Sequence, residues 1–231
     1  MRQIVPDVYL VEGLRRAHVY LLTLEDGVTL VDSGMAGEAD QIVAQLEEGG
    51  YALSDLRAIV LTHCHGDHIG SAVELARRSG ARVLAHRDDV PYIEQTESLP
   101  GGSFLRRLLS RLSDWLFKTS PCQVDRVLQD GDIVEALGGL HVFHMPGHTP
   151  GSIVLYQPER RILFCGDVLF NDNPLSGKEG LQLPPHVFSL DVAQARESAR
   201  KLAGLPVDVL CLGHGEPILE DAGERIRDAV A

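Results

Sequence analysis

Three histidines and an aspartate stand within six residues, in Thr62-His63-Cys64-His65-Gly66-Asp67-His68. Imidazole nitrogen and carboxylate oxygen together suit zinc, and also iron or manganese. His63 and His65 are two residues apart, so on an extended segment both project to the same side. Gly66 lets the chain turn before Asp67 and His68. Packing gains nothing from four such groups, and burying them without partners would be costly, so the cluster reads as a metal site. Three more residues of the same kind follow apolar runs: His148 in Pro146-Gly147-His148-Thr149-Pro150-Gly151, Asp167 after Gly166, and His214 between Gly213 and Gly215. Each alone is an ordinary turn residue. Added to the cluster, they complete a set of seven, about what two metal ions and their water require.

These residues need elements to aim them. Apolar runs at 8–12 and 18–24, a turn at Glu25-Asp26-Gly27 and a third run at 28–31 predict an antiparallel meander ending at Asp32-Ser33-Gly34. Ala39, Ile42, Val43 and Leu46 have helical spacing within 37–48, and Gly49-Gly50 stops that helix. A strand over 57–61 runs into the histidine cluster, a helix is expected over 69–78, and a short strand over 83–85. The second half has strands at 133–136 and 140–144, a hairpin at 153–165 ending on Asp167, a helix over 190–203, a strand over 207–212 ending on His214, and a closing helix over 220–230. Each half reads as strand–Asp, helix, strand–His. This grammar predicts two similar halves with their functional residues at strand ends.

The 231 residues suffice for one α/β domain with a substantial core. Acidic residues outnumber basic ones 33 to 21, for a net charge of −12, and this argues against a nucleic-acid partner, which needs clustered cations. No run is long or apolar enough for a signal peptide or a membrane span. Cys64, Cys122, Cys165 and Cys211 show no paired spacing, and Cys165 and Cys211 read as buried free thiols. The expected setting is the cytoplasm.

The order His-x-His-x-Asp-His, then His148 in its Pro-Gly loop, then Gly166-Asp167, then Gly213-His214-Gly215, resembles the metallo-β-lactamase-fold hydrolase superfamily. The resemblance runs from Val31-Asp32-Ser33-Gly34 to His214. It implies a four-layer αββα sandwich, two mixed β-sheets flanked by helices, in one domain over 1–231. It further implies that His63, His65 and His148 hold one metal, that Asp67, His68 and His214 hold a second, and that Asp167 bridges them. Asp32 then supports the site by hydrogen bonding. Two zinc ions are expected, with iron or manganese as alternatives. The implied reaction is attack of a metal-bridging hydroxide, oriented by Asp67, on an ester, thioester or lactone carbonyl of a small-molecule substrate.

Within the superfamily, true β-lactamases usually lack an aspartate at the position of Asp167. Glyoxalase II shares the full ligand set. Acyl-homoserine lactonases tend to carry a tyrosine where this chain has Phe170, which cannot donate a hydrogen bond. A mononuclear iron persulfide dioxygenase of the same fold is the alternative enzyme, and a non-catalytic metal-binding protein a third reading. Residues 91–121 form a helical insert that the repeat of the two halves does not explain. In 103–118, Phe104, Leu105, Leu108, Leu109, Leu112, Trp115 and Leu116 share one helical face, with Arg106, Arg107, Arg111 and Lys118 around the other. It reads first as a helix packed on its own domain; the other readings are a lid, a homodimer interface or a lipid contact, and of these a wall at the active-site entrance is the expectation. Phe170 and His186 are the candidate substrate contacts.

Overall fold

The apolar opening of the chain builds an antiparallel meander of β1 (Arg2–Val5), β2 (Val8–Leu10), β3 (Tyr20–Leu24) and β4 (Gly27–Val31). In this computed structural model the described residues are 1–99, 119–172 and 177–231. The chain divides into two units, 1–128 and 129–231.

In the first unit β5 (Leu56–Val60), β6 (Arg82–His86) and β7 (Arg126–Leu128) extend the meander in parallel, giving a seven-stranded sheet in sequence order. Every residue of β4 is buried, as expected of a strand covered on both faces. The connection from β4 to β5 carries α1 (Ala39–Glu48), whose buried residues are Ala39, Ile42, Val43 and Leu46. They pack in one core with Leu21, Leu30, Ile59 and Leu75.

The single helix expected over 69–78 is two: α2 (Gly66–Ile69) and α3 (Ala72–Ser79). The break has a long-range cause. The Gly70 amide donates to the Gly34 carbonyl at 2.8 Å, and Ser71 Oγ donates to the Met35 carbonyl at 2.6 Å. The loop after β4 therefore takes up the Gly70 amide, which a continuous helix would have used internally, and is tied beside it by the Ser71 hydroxyl. Only the borders of the 91–121 insert are described, including α4 (Val90–Ile93), which carries Pro91 in its first turn. The amphipathic stretch 103–118 lies outside the described residues.

In the second unit β8 (Ile133–Val134), β9 (Leu140–His144), β10 (Ile153–Gln157) and β11 (Ile162–Phe164) are antiparallel. The last strand of the chain, β14 (Val209–Cys211), pairs parallel to β11. A separate hairpin of β12 (Phe170–Asp172) and β13 (Glu179–Gln182) stands apart from that sheet. The connection to β14 carries α5 (Val192–Lys201), N-capped by Asp191, whose side chain accepts from the Gln194 amide. The final helix is α6 (Ala222–Val230). Val154, Leu163, Leu202, Leu210 and Ile226 share this unit's core.

The expected grammar is present in both units. β4 and β5 run parallel with α1 between them in sequence, and β11 and β14 run parallel with α5 between them. All four cysteines are buried thiols outside any disulfide. Among the described residues no helix is long and apolar enough to cross a membrane.

Candidate metal centre

In the first unit the ladder between β4 and β5 continues one step past β4, with the Asp32 amide donating to Val60 at 2.9 Å. This sets the Asp32 side chain beside Thr62. Asp32 is buried and has φ of +62°, a left-handed conformation that aspartate adopts more readily than bulky residues do. Its carboxylate accepts the Thr62 amide at 2.8 Å and the Thr62 hydroxyl at 2.8 Å. It also accepts from His68 Nδ1 at 2.7 Å. Thr62 Oγ1 lies 3.1 Å from His63 Nδ1.

Those contacts imply one proton order for Thr62, His63 and His68. An ionised carboxylate only accepts, so Nδ1 of His68 and the Thr62 hydroxyl both donate to Asp32. The Thr62 oxygen is then the acceptor for His63 Nδ1. With both Nδ1 atoms protonated, the basic nitrogen of each ring is Nε2, the form in which imidazole binds a metal. The rings cluster tightly, with centroids 4.8 Å apart for His63 and His65 and 4.1 Å for His63 and His68.

The backbone of the cluster is also held. The His68 carbonyl accepts from the Ser33 amide at 2.7 Å and from Ser33 Oγ at 2.8 Å. The Cys64 amide, between two of the histidines, donates to the buried Asp89 carboxylate at 2.9 Å. Thr62, Ser33 and Asp89 hold the histidine segment in place, and the sequence motif does not single them out. Thr62 adjoins the cluster and could have been suspected, whereas Asp89 carries no local signal.

In the second unit parallel pairing continues beyond both strands, from the Cys165 amide to Cys211 and from the Gly213 amide to Gly166, each at 2.9 Å. Asp167 and His214 therefore leave adjacent strands at the same level. The His148 loop is closed by the Met145 amide to the Ser152 carbonyl at 2.8 Å and the Thr149 amide to Ser152 Oγ at 3.0 Å. The start of α5 tethers it, with the Asp191 amide donating to Gly147 at 2.9 Å and the Leu190 amide to His148 at 3.2 Å. One oxygen of Asp167 consequently faces two imidazoles, 3.3 Å from His148 Nε2 and 3.5 Å from His214 Nε2. His148 and Asp167 are buried, while the His214 side chain is 20% exposed.

Phe170 is buried with its ring 4.7 Å from that of His214. His186 opens an exposed 3-10 turn, His186–Phe188. Burial raises the pKa of the nearby Cys165 and Cys211 thiols well above the ordinary value.

Each unit thus presents His and Asp side chains converging at strand ends, a donor set suited to zinc, iron or manganese. The family model for the metallo-beta-lactamase superfamily matches residues 13–214. The chain is 32% identical over 216 residues to the probable metallo-hydrolase YflN of Bacillus subtilis, covering 87% of this chain and 81% of that protein. It is 31% identical over 150 residues to hydroxyacylglutathione hydrolase GloC of Haemophilus influenzae, covering 63% of each. Among solved structures, a metallo-beta-lactamase family protein of Thermus thermophilus aligns with a TM-score of 0.75 at 22% identity, over 99% of this chain and 78% of that one. The subclass B3 metallo-beta-lactamase BJP-1 of Bradyrhizobium japonicum aligns with a TM-score of 0.74 at 23% identity, over 99% and 88%. At such identities the two structures speak for the fold alone, and the extent of the family match decides membership. The chain belongs to the metallo-beta-lactamase superfamily and has its fold.

Proposed function

We propose that this protein is a binuclear metal-dependent hydrolase that cleaves an ester, thioester or lactone. His63, His65 and His148 would hold one ion and Asp67, His68 and His214 the other, with Asp167 shared between them. The observation that carries this reading is the buried hydrogen-bonded chain His68–Asp32–Thr62–His63, whose implied proton order leaves Nε2 of His63 and His68 as the basic nitrogens. The approach of one Asp167 oxygen to two imidazoles supports it. The donor set fits the group: buried imidazoles and carboxylates in numbers that packing would not favour. When bound, paired metal ions lower the pKa of a shared water and polarise a carbonyl.

The residues of the chain then have distinct tasks. Asp32 and Thr62 fix the tautomers of His68 and His63, and Asp89 and Ser33 hold the backbone that carries them. Asp67 would accept a hydrogen bond from the attacking water and so aim its lone pair at the carbonyl. Zinc is the metal we favour, with iron or manganese as alternatives. The family match runs through both units, which supports reading 1–231 as one domain with a helical insert at about 91–121. The similarity to hydroxyacylglutathione hydrolase GloC supports thioesters as one arm of the substrate class.

The test is turnover of zinc-loaded protein on a panel of lactones, thioesters, phosphodiesters and β-lactams, beside an Asp67→Ala variant of confirmed metal content. The expected result is hydrolysis of a lactone, ester or thioester and a loss of at least about 100-fold in Asp67→Ala. Near-normal turnover by that variant would remove Asp67 from its role. Oxygen uptake with glutathione persulfide by protein holding one iron would overturn the hydrolase reading.

A further inference from the structure

His214 is the awkward member of the set. It lies between two glycines in a loop whose base is closed by reciprocal amide–carbonyl bonds between Leu210 and Ile218, at 2.8 and 2.9 Å. A Gly-His-Gly tip has more backbone freedom to lose than any other part of the centre. Its side chain is also more exposed than that of His148 or Asp167. Something outside the loop has to restrain it.

The strand β12 makes that restraint through one residue. The Asn171 amide donates to the His214 carbonyl at 3.1 Å, and Asn171 Nδ2 donates to the Glu216 carbonyl at 2.8 Å. Asn171 thus holds the carbonyls on both sides of Gly215. Gly215 has φ of +82°, and a Cβ there would stand 2.7 Å from the Asn171 carbonyl carbon. The close approach is built into both partners. Next to it, the buried Phe170 lays its ring against the His214 imidazole, with centroids 4.7 Å apart.

We propose that Asn171 is a positioning residue for His214, clamping the Gly213-His214-Gly215 tip so that the imidazole is preset for a metal ion. The inference rests on the proposed role of His214 as a ligand. In this arrangement the hairpin β12–β13 is an arm of the metal centre, and its contribution is felt by one of the two ions.

The experiment measures zinc affinity of the full-length protein by chelator competition in the wild type, Asn171→Ala, Asn171→Asp and His214→Ala, together with the melting temperature of each metal-free protein. Asn171→Asp keeps the side-chain size and replaces the Nδ2 donor with a carboxylate oxygen, which cannot bond the Glu216 carbonyl. Its added negative charge favours a cation, so a loss of affinity there runs against the electrostatic direction and reports the clamp. The expected result is that one of two zinc ions binds about 10-fold or more weakly in both Asn171 variants, with the other ion unchanged and the metal-free melting temperature of Asn171→Asp preserved. Unchanged zinc affinity in Asn171→Asp while His214→Ala loses an ion would overturn the clamp and leave the ligand reading intact. Equal weakening of both ions would also overturn it, as the mark of general structural damage. Full zinc binding by His214→Ala would instead overturn the ligand reading itself.

Discussion

Asp32 Oδ2 accepts the Nδ1 proton of His68 at 2.7 Å, with both side chains almost wholly buried. The same oxygen accepts the Thr62 hydroxyl, so one carboxylate sets the tautomers of two histidines. The histidine cluster in the first unit is organised around this aspartate.

Replacing Asp32 with asparagine isolates that role, because asparagine tolerates the same left-handed backbone. The introduced carboxamide cannot take up all three hydrogen bonds. Metal affinity is expected to fall about 10- to 100-fold, with a stability loss of roughly 1–3 kcal/mol in the metal-free protein. Chelator titration and urea unfolding would check both. Wild-type affinity in Asp32→Asn would show that tautomer control is not its function.

Thr62→Val keeps the branched shape but removes the hydroxyl that joins His63 to Asp32. A hydrogen bond to a charged group contributes about 1.5–3 kcal/mol, so the urea midpoint should drop with an unchanged denaturant slope. A midpoint equal to that of the wild type would contradict the network.

Much of this was legible in the sequence where the signal is local. The period of Ala39, Ile42, Val43 and Leu46 named the buried face of α1 correctly, and the strand–Asp, helix, strand–His grammar reappears in each unit. What escaped depends on distant partners. Apolar spacing cannot show that Gly34 and Met35 draw on Gly70 and Ser71 and split the helix there. β12 is three residues without alternation, and its partner β13 begins seven residues later, so neither strand has a period to detect. β1 and β7 were likewise too short to register. The motif points to the histidines as candidates, but Asp89 reaches Cys64 only through the fold.

Gly147 precedes His148 with φ of +126°, and a Cβ there would collide with the Ala195 backbone. Gly147→Ala must therefore shift either the loop or α5. Backbone strain of this kind amounts to about 1–3 kcal/mol. The expected outcome is a lower melting temperature together with weaker metal binding, since the displaced loop carries His148. An unchanged melting temperature would show that the loop can yield.

Burial, with smaller contributions from Asp125 and Glu94, pushes the Cys122 thiol up to about 11 from an ordinary 9.0. The unfolded chain ionises first as pH rises, so the folded state loses stability between pH 9.0 and about 11. Urea unfolding across that window should show a decline that is smaller in Cys122→Ala. Reaction with thiol reagents at pH 7 should be slow in the folded protein. Parallel pH profiles for the two proteins would contradict the assignment.

If the seven side chains hold two metal ions, the metal content of the protein will show it. Zinc-loaded wild-type protein, freed of excess metal, should contain about two ions per chain by elemental mass spectrometry, and Asp167→Ala should retain about one or fewer. A wild-type content of about one ion or fewer, or an Asp167→Ala content equal to that of the wild type, would contradict a binuclear centre.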